Sequence, residues 1–315
     1  MAPARRALDW LSSGDPAIRW QAMRDLGNAS TDVVAAERAR VASEGWGARV
    51  LAMQQPDGTW GGVAWNRGFD STMHALMLLR EFGLDPGSGE ARRAVSLVNQ
   101  HVTWSGCGPQ ECADHGFFEG ETEPCINAQV AAVGAYFGQD VDALVARLLT
   151  EQLEDGGWNC EAEYGSTRSS FHTTICVVEA LLEYERSKAA SPAVVEARQC
   201  GEEYLLERRL MRRRSTGEQI CDRKASIPWT SMMHPSWWHY DVLRGLDHLR
   251  NAGRKFDDRI REALDCVASK RDSNGRWPLG ARLEGRMPVD FDEAPGSPSR
   301  WNTLRAARVL AWATS

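Results

Sequence analysis

Apolar side chains recur along this chain at helical spacing, in segments that come in pairs. In each pair the first segment carries charge on one face, and the second is apolar on nearly all sides. A helix with one charged face lies against solvent, whereas a helix that is apolar all round is buried. The pattern therefore predicts hairpins of an outer and an inner α-helix, with outer helices at 35–53, 141–153, 193–209 and 257–269.

The inner helices are predicted to begin near residues 20, 70, 125, 172, 239 and 302. Their spacing is irregular but sustained along the chain, and no segment shows a convincing strand alternation. We therefore predict an all-α fold, an (α/α)6 toroid (barrel) of about six helical hairpins with inner and outer helix rings. Because repeats can extend one core, residues 1–315 are predicted to be a single toroid domain.

Three turns between the predicted helices share the same chemistry. They are 55–60 (QPDGTW), 152–158 (QLEDGGW) and 273–277 (SNGRW). Asp-Gly and Asn-Gly favour tight turns because glycine adopts positive φ without strain. The tryptophan that follows is predicted to fold back and bury its ring against the helices that the turn joins.

Polar residues of the inner helices are concentrated at the helix starts, which a toroid would gather at one end of its cavity. Most of them, such as Asp70 and Asn302, are natural helix caps. Capping does not explain Cys125, His172 and His239, whose thiol and imidazole groups are typical zinc ligands. We therefore predict a zinc site on these three residues, with the carboxylate of Glu123 as a further ligand.

A second possible zinc cluster lies in the loop before Cys125. Its residues are Cys107, Cys112 and His115, and no fourth ligand is obvious. The alternative for this loop is that His115 or Glu119 reaches over the cavity mouth as a proton donor.

Further candidates lie near the predicted cavity mouth. Asp70 and Asp241 are candidates for proton transfer or for orienting a ligand histidine, and His239 is a candidate acid or base. Aromatic side chains would shield an apolar substrate and stabilise a developing cation, unless they are ordinary core residues. The predicted substrate-binding residues are Trp65, Trp237, Trp238, Tyr240, Trp301 and Asn302.

Composition narrows the class of protein. With 43% hydrophobic and 25% charged residues, the sequence is typical of a soluble globular protein. A net charge of −6 argues against a sequence-independent nucleic-acid partner, and the basic run at 208–214 is predicted to be a solvated helix end. No signal peptide or membrane span is evident, so we expect a cytoplasmic protein.

The turns and helix starts resemble the squalene cyclase and protein prenyltransferase superfamily, whose members are α/α toroids. Segments 55–60 and 152–158 look like the Gln-Trp repeats of that family. The sequence from Glu123 to Cys125 is similar to the Asp-x-Cys zinc motif of prenyltransferase β subunits, with Glu in place of Asp. The segment FHTT at 171–174 resembles their later His-Thr zinc motif. Class II terpene cyclases of the same superfamily use an Asp-x-Asp-Asp acid, of which the matching position here retains only Asp70.

The resemblance implies a zinc-dependent enzyme, a cyclase or transferase, acting on an apolar isoprenoid-like small molecule. The metal would activate a thiol or act as a Lewis acid. One alternative is a metal-free, acid-initiated cyclase that uses Asp70 or the loop residue Asp292. A second alternative is a scaffold that binds a lipid or peptide without chemistry.

Overall fold

A computed structural model of the chain describes residues 5–104, 115–189, 191–222, 227–291 and 293–314. The described residues are mostly helical, which confirms the all-α class. None of their helices is both long and apolar enough to cross a bilayer. The helices are α1 (Arg5–Ser12), α2 (Pro16–Asp25), α3 (Thr31–Ala39), α4 (Gly45–Ala52), α5 (Thr72–Phe82), α6 (Gly89–His101), α7 (Pro124–Tyr136), α8 (Asp142–Thr150), α9 (Phe171–Ser187), α10 (Pro192–Glu207), α11 (Val242–Asn251), α12 (Arg261–Ser269) and α13 (Arg300–Trp312).

Strands of two residues form two antiparallel pairs. Strand β1 (Cys221–Asp222) pairs with β2 (Ile227–Pro228), and β3 (Trp277–Pro278) pairs with β4 (Pro298–Ser299). These strands are too short to bury a hydrophobic face, so they tie loops together without forming a separate layer.

The predicted outer helix at 35–53 is not continuous. Helix α3 ends at Ala39, a short 3-10 helix follows, and α4 begins at Gly45. Gly45 has a φ of 63°, which lies in the left-handed region that α-helices exclude. A Cβ on Gly47 would come within 2.2 Å of the Val41 carbonyl oxygen, so the two segments pack too closely for larger residues. The prediction of one continuous helix here is wrong, because Gly45 and Gly47 allow a tight break in the helix that the apolar periodicity does not reveal.

The chain divides into two compact units. The first contains Met1–Glu37, Glu202–Leu283 and Asp290–Ser315, and the second contains Arg38–Gly201 and Glu284–Val289. In the second unit α7 packs against both α5 and α9, and in the first unit α13 packs against both α11 and α2. Each unit therefore sets the predicted inner helices side by side.

The three repeated turns have the same backbone structure. In the first, the amide of Gln55 donates to the Thr59 carbonyl (2.8 Å) and that of Gly58 to the Gln55 carbonyl (2.9 Å). The other two turns contain the same pair of bonds. The donors are the amides of Leu153 and Gly156 in the second turn and those of Asp272 and Gly275 in the third. A glutamine also recurs, because the side-chain amide of Gln54 donates to the turn and to a carbonyl of α6, and that of Gln152 donates to the turn and to a carbonyl of α10. The repeated glutamine of the first turn is thus Gln54, one residue earlier than the sequence pattern indicated.

Each turn ends in a buried tryptophan that is anchored in the same way three times. The Trp158 backbone amide donates to the Thr174 hydroxyl of the next helix (3.0 Å). Its indole Nε1 donates to the Leu148 carbonyl of the preceding helix (2.6 Å). Trp60 makes the same bonds to Thr72 and Val50, and Trp277 makes them to Thr303 and Val267. One residue thus fastens both helices of a hairpin.

We expect the substitution Thr303→Val to destabilise the first unit. Thr303 is fully buried, and valine keeps its shape but leaves the Trp277 amide without its acceptor. A buried donor left unpaired costs about 1–3 kcal/mol. Urea unfolding followed by circular dichroism measures this loss. The matched control Thr314→Val changes an exposed threonine just after α13, and equal stabilities for the two variants would contradict the anchoring role.

Candidate metal centre

Three possible metal ligands meet in the second unit at the start of α7. They are Glu123, Cys125 and Cys160, and one ligand atom of each lies within 4.8 Å of the other two. Within the described ranges, no other group of three Cys, His, Asp or Glu side chains meets this limit. Both cysteines are partly exposed and Glu123 is exposed, so the group is open to small solutes.

The start of α7 places the carboxylate beside the first thiol. Glu123 precedes the helix with extended backbone, and its side chain makes no capping bond. One carboxylate oxygen instead lies 3.6 Å from the Cys125 sulfur. Pro124 occupies the first turn, where its missing N–H costs nothing. The carboxylate is therefore available as a ligand.

The loop before α7 is held from two helices. Asn127 of α7 accepts a bond from the Glu121 amide (2.7 Å) and donates to the Glu121 carbonyl (3.0 Å). The guanidinium of Arg147 on α8 donates to the carbonyls of Glu121 and Thr122 (2.6 and 2.7 Å). These bonds fix the backbone that leads into Glu123.

The second thiol is positioned by the repeated turn. Cys160 comes two residues after Trp158 and opens a 3-10 helix (Cys160–Tyr164). The Cys160 amide donates to the Thr173 hydroxyl (3.3 Å), and that hydroxyl donates to the Cys160 sulfur (3.4 Å). Because Thr174 anchors Trp158, its neighbour Thr173 meets Cys160, and the packing of α9 on α7 brings this thiol to Cys125.

The two thiols differ in acidity because one stabilises the other. A hydrogen bond from the Cys125 thiol lowers the pKa of Cys160, against the effect of burial, and the Thr173 hydroxyl adds to this lowering. The same bond, with burial, raises the pKa of Cys125 well above its usual value. Of the two thiols, Cys160 is therefore the one that loses its proton first as the pH rises.

A second polar contact lies one helical turn beyond the thiols. The amide nitrogen of Gln129, four residues after Cys125, lies 3.5 Å from the Cys176 sulfur on α9. Both side chains are buried. No hydrogen-bond partner for the Gln129 amide oxygen occurs among residues that the structure describes. Polar groups therefore continue from the thiols into the α7–α9 interface.

His172 and Asp70 occupy equivalent positions in their hairpins, two residues before the threonine that anchors the turn. Cys125 has the same offset from Asn127. His172 is partly exposed and adjoins Thr173, but it is not a member of the close group. The third ligand atom close to Glu123 and Cys125 comes instead from Cys160, which the sequence had not placed in the site.

Asp70 lies in a separate polar cluster of the second unit. Its carboxylate accepts a bond from the Asn66 side chain (2.7 Å) and pairs with Arg286 (3.1 Å). One turn later, the Nδ1 atom of buried His74 lies 2.7 Å from the Ser71 hydroxyl. His74 was not predicted from the sequence, because an isolated histidine within an apolar helix is indistinguishable from a core residue.

The candidates of the first unit have structural contacts. Both oxygens of the buried Asp241 accept backbone bonds, from Arg244 as the cap of α11 (2.8 Å) and from Met233 (2.9 Å). His239 is fully buried, and its carbonyl accepts a bond from the Arg244 guanidinium (2.8 Å). Capping of α11 thus accounts for the position of Asp241, and the catalytic roles of Asp241 and His239, as well as the metal-ligand role of His239, stay predictions.

The predicted substrate-binding residues are mostly buried. The Tyr240 hydroxyl donates to the Leu210 carbonyl (2.7 Å), and the Asn302 amide donates to the Met232 and Pro278 carbonyls (3.0 and 2.9 Å). These bonds match the alternative in which such residues hold the core. Trp237 and Trp301 are buried, Trp65 is partly buried, and Trp238 is the most exposed of the tryptophans in this set.

Some candidates are not covered by the structure. Cys107, Cys112 and Asp292 lie outside the described residues. His115 is described and exposed, and Glu119 ends a short 3-10 helix (Phe117–Glu119). The second zinc cluster and the acid role of Asp292 therefore stay predictions.

No family model matches the sequence, and no curated protein sequence does either. Among solved structures, a protein from Actinoplanes is 15% identical and aligns over 99% of this chain and 98% of its own, with a TM-score of 0.46. The type II terpene cyclase MstE from Scytonema is 18% identical over 94% of this chain and 87% of its own, with a TM-score of 0.43. A variant of it in complex with geranylgeranyl dihydroxybenzoate is 16% identical over 95% and 86%, with a TM-score of 0.39.

We expect His74 to make the protein less stable in acid. Burial lowers the pKa of His74 from 6.5 to about 3, while the nearby charge of Asp70 opposes that shift. The unfolded chain takes up a proton as the pH falls through 6.5, but the folded chain does not. The stability present above pH 6.5 is therefore lost progressively as the pH falls toward 3.

Replacing His74 by glutamine should remove this dependence. Between pH 7 and pH 5 the wild-type protein should lose about 2 kcal/mol more of its free energy of unfolding than His74→Gln does. Urea titrations at the two pH values measure the difference. The control His101→Gln changes an exposed histidine and should keep the wild-type slope. A His74→Gln slope equal to that of the control would refute the assignment.

Proposed function

We propose that this chain is a zinc-dependent enzyme whose metal is held by Glu123, Cys125 and Cys160. The single observation that supports this proposal is the approach of the three ligand atoms to within 4.8 Å of one another. Two thiols and a carboxylate are a donor set that suits Zn²⁺, because thiolates disfavour Mg²⁺ and Ca²⁺. Three protein ligands leave the fourth position of a tetrahedral zinc open to a substrate, as in catalytic sites, whereas a fourth protein ligand would make the site structural.

The residues around the group fit the roles that a metal centre requires. Thr173 orients the Cys160 sulfur from α9, while Asn127 and Arg147 fix the backbone that carries Glu123. Groups that hold a ligand in this way raise metal affinity, because the ligand does not have to be ordered on binding. When bound, zinc would supply either a lowered pKa for a substrate thiol or polarisation of a substrate oxygen.

We further propose an apolar, isoprenoid-like substrate and a cyclase or transferase reaction. Support comes from the resemblance of the turns and helix starts to the squalene cyclase and protein prenyltransferase superfamily. The closed (α/α)6 toroid and the single domain belong to this proposal.

The acid-initiated cyclase and the binding scaffold are the competing functions. In the first, Asp70 would need to reach the substrate, and in this structure its oxygens contact Asn66 and Arg286. In the second, the two thiols and the carboxylate would have no chemical role. Neither alternative needs a metal, so metal analysis separates both from the leading proposal.

Zinc content and affinity test the proposal directly. We expect about one zinc per chain in protein purified without added metal, and loss of turnover on isoprenoid diphosphates or alcohols after chelation. Cys125→Ser and Cys160→Ser should each weaken zinc binding by more than about 100-fold, which exceeds the loss typical of a residue that only supports a ligand. Thr173→Val, as such a supporting residue, should cost about 10-fold.

The control Cys266→Ser lies in the first unit and should bind zinc as the wild-type protein does. His172→Gln tests the prediction that His172 is a zinc ligand, which requires a loss similar to that of the cysteine variants. Protein that binds no zinc, with turnover that survives chelation, would exclude the metal-dependent function.

A further inference from the structure

We propose that Cys125 and Cys160 form a reversible thiol–disulfide pair, and that the oxidised pair no longer binds metal. The disulfide depends only on the placement of the two thiols. The control of metal binding rests on the proposed function, because it requires both cysteines to be metal ligands.

The two sulfur atoms are close enough to react. They lie within 4.8 Å of each other, and a disulfide brings two sulfurs to about 2.05 Å. Among the described cysteines, Cys125 and Cys160 are the two that belong to the close group of possible metal ligands. Side-chain rotation with a small shift of one backbone segment would close the remaining gap.

The segment that carries Cys160 is suited to such a shift. Cys125 is fixed on α7, but Cys160 opens a short 3-10 helix (Cys160–Tyr164) whose residues are mostly exposed. Tyr164 at its end is 79% exposed. A segment with little buried surface moves at low cost, so Cys160 can approach Cys125 without unpacking α7 from α9.

The pair is also reachable from solvent, unlike the neighbouring thiol. Cys125 and Cys160 are both partly exposed. Cys176 is 2% exposed and contacts the Gln129 amide within the α7–α9 interface. A small oxidant therefore reaches Cys125 and Cys160 before it reaches Cys176.

With a small-molecule disulfide as oxidant, the exchange is balanced. One protein thiolate attacks the reagent, forms a mixed disulfide and releases one reagent thiol. The second protein thiol then attacks the protein sulfur of the mixed disulfide, which forms the Cys125–Cys160 bond and releases the second reagent thiol. The two protein cysteines are oxidised, the reagent disulfide is reduced, and both protons leave on the reagent thiols. Each sulfur loses the thiolate charge that a metal ligand needs.

The test uses the full chain, stripped of metal and treated with cystamine. Digestion after glutamate separates the partners, because Glu121 cuts between Cys112 and Cys125, and Glu154 cuts before Cys160. We expect one cross-linked peptide that carries Cys125 and Cys160, with a mass two hydrogen atoms below that of the reduced pair. The cross-link should disappear in Cys160→Ser and persist in Cys266→Ser.

Zinc then provides the second readout. Zinc added before cystamine should slow cross-linking by about 10-fold or more, because bound metal occupies both sulfurs. Cross-linked protein should bind no zinc at this centre until dithiothreitol reduces the disulfide. The unfolding curve of each sample shows that the chain remains folded throughout.

The outcomes separate this inference from the proposed function. Absence of the cross-link, under conditions in which exposed Cys200 is modified, would overturn the thiol pair and leave the zinc proposal intact. A cross-link that zinc does not slow, in protein that binds no zinc, would support the thiol pair and overturn both its control of metal binding and the proposed function. Zinc binding that survives cross-linking would overturn both the control and the assignment of the two sulfurs as zinc ligands, and would leave the thiol pair intact.

Discussion

The structure depends on one hydrogen bond that occurs three times, from the backbone amide of a turn tryptophan to a threonine hydroxyl in the next helix. The indole of the same tryptophan bonds back to the preceding helix, so that a single residue fixes the separation and rotation of two helices. Amide and hydroxyl are both buried, and losing either partner leaves a polar group without compensation. Because of this penalty, the turn holds its two helices rigidly, although Asp-Gly turns alone are weak determinants of structure.

The position of the candidate metal centre depends on the turn that ends in Trp158. Once Thr174 holds Trp158, the adjacent Thr173 meets the chain just after the tryptophan, where Cys160 stands. Helix α9 carries this arrangement to α7, whose start is clamped by Asn127 and Arg147. The group therefore combines one ligand segment that is fixed from several sides with another that is held by two bonds to a single hydroxyl.

Much of the fold is accessible from sequence because its signals are local. Tryptophan after an Asp-Gly or Asn-Gly turn marks the hairpins, and apolar runs mark α5, α7, α9 and α13. The break at Gly45 escaped this reasoning, since apolar spacing continues across it. The positive φ of Gly45 and the close approach of Gly47 to Val41 become evident only from the structure.

The site was predicted less completely, because contacts between segments leave no local pattern. Cys125 and Glu123 were found from their position at a helix start, but Cys160 lies in a stretch without periodicity. Its one sequence signal is its position two residues after Trp158. That position is informative only when the tryptophan–threonine hydrogen bond is known. Conversely, Asp241 was a catalytic candidate and Asn302 a substrate-binding candidate from the sequence. Their hydrogen bonds to backbone groups explain their burial without either role.

The shared offset of Asp70, Cys125, His172 and Trp301 has an evolutionary consequence. Each lies two residues before the side chain whose hydrogen bonds hold the adjoining turn or loop. The residue at this position is therefore not needed to stabilise its hairpin. A duplicated hairpin can then exchange acid, thiol, imidazole or indole at this place while its scaffold stays unchanged. Diversity of chemistry in such repeats can thus accumulate by single substitutions, one hairpin at a time.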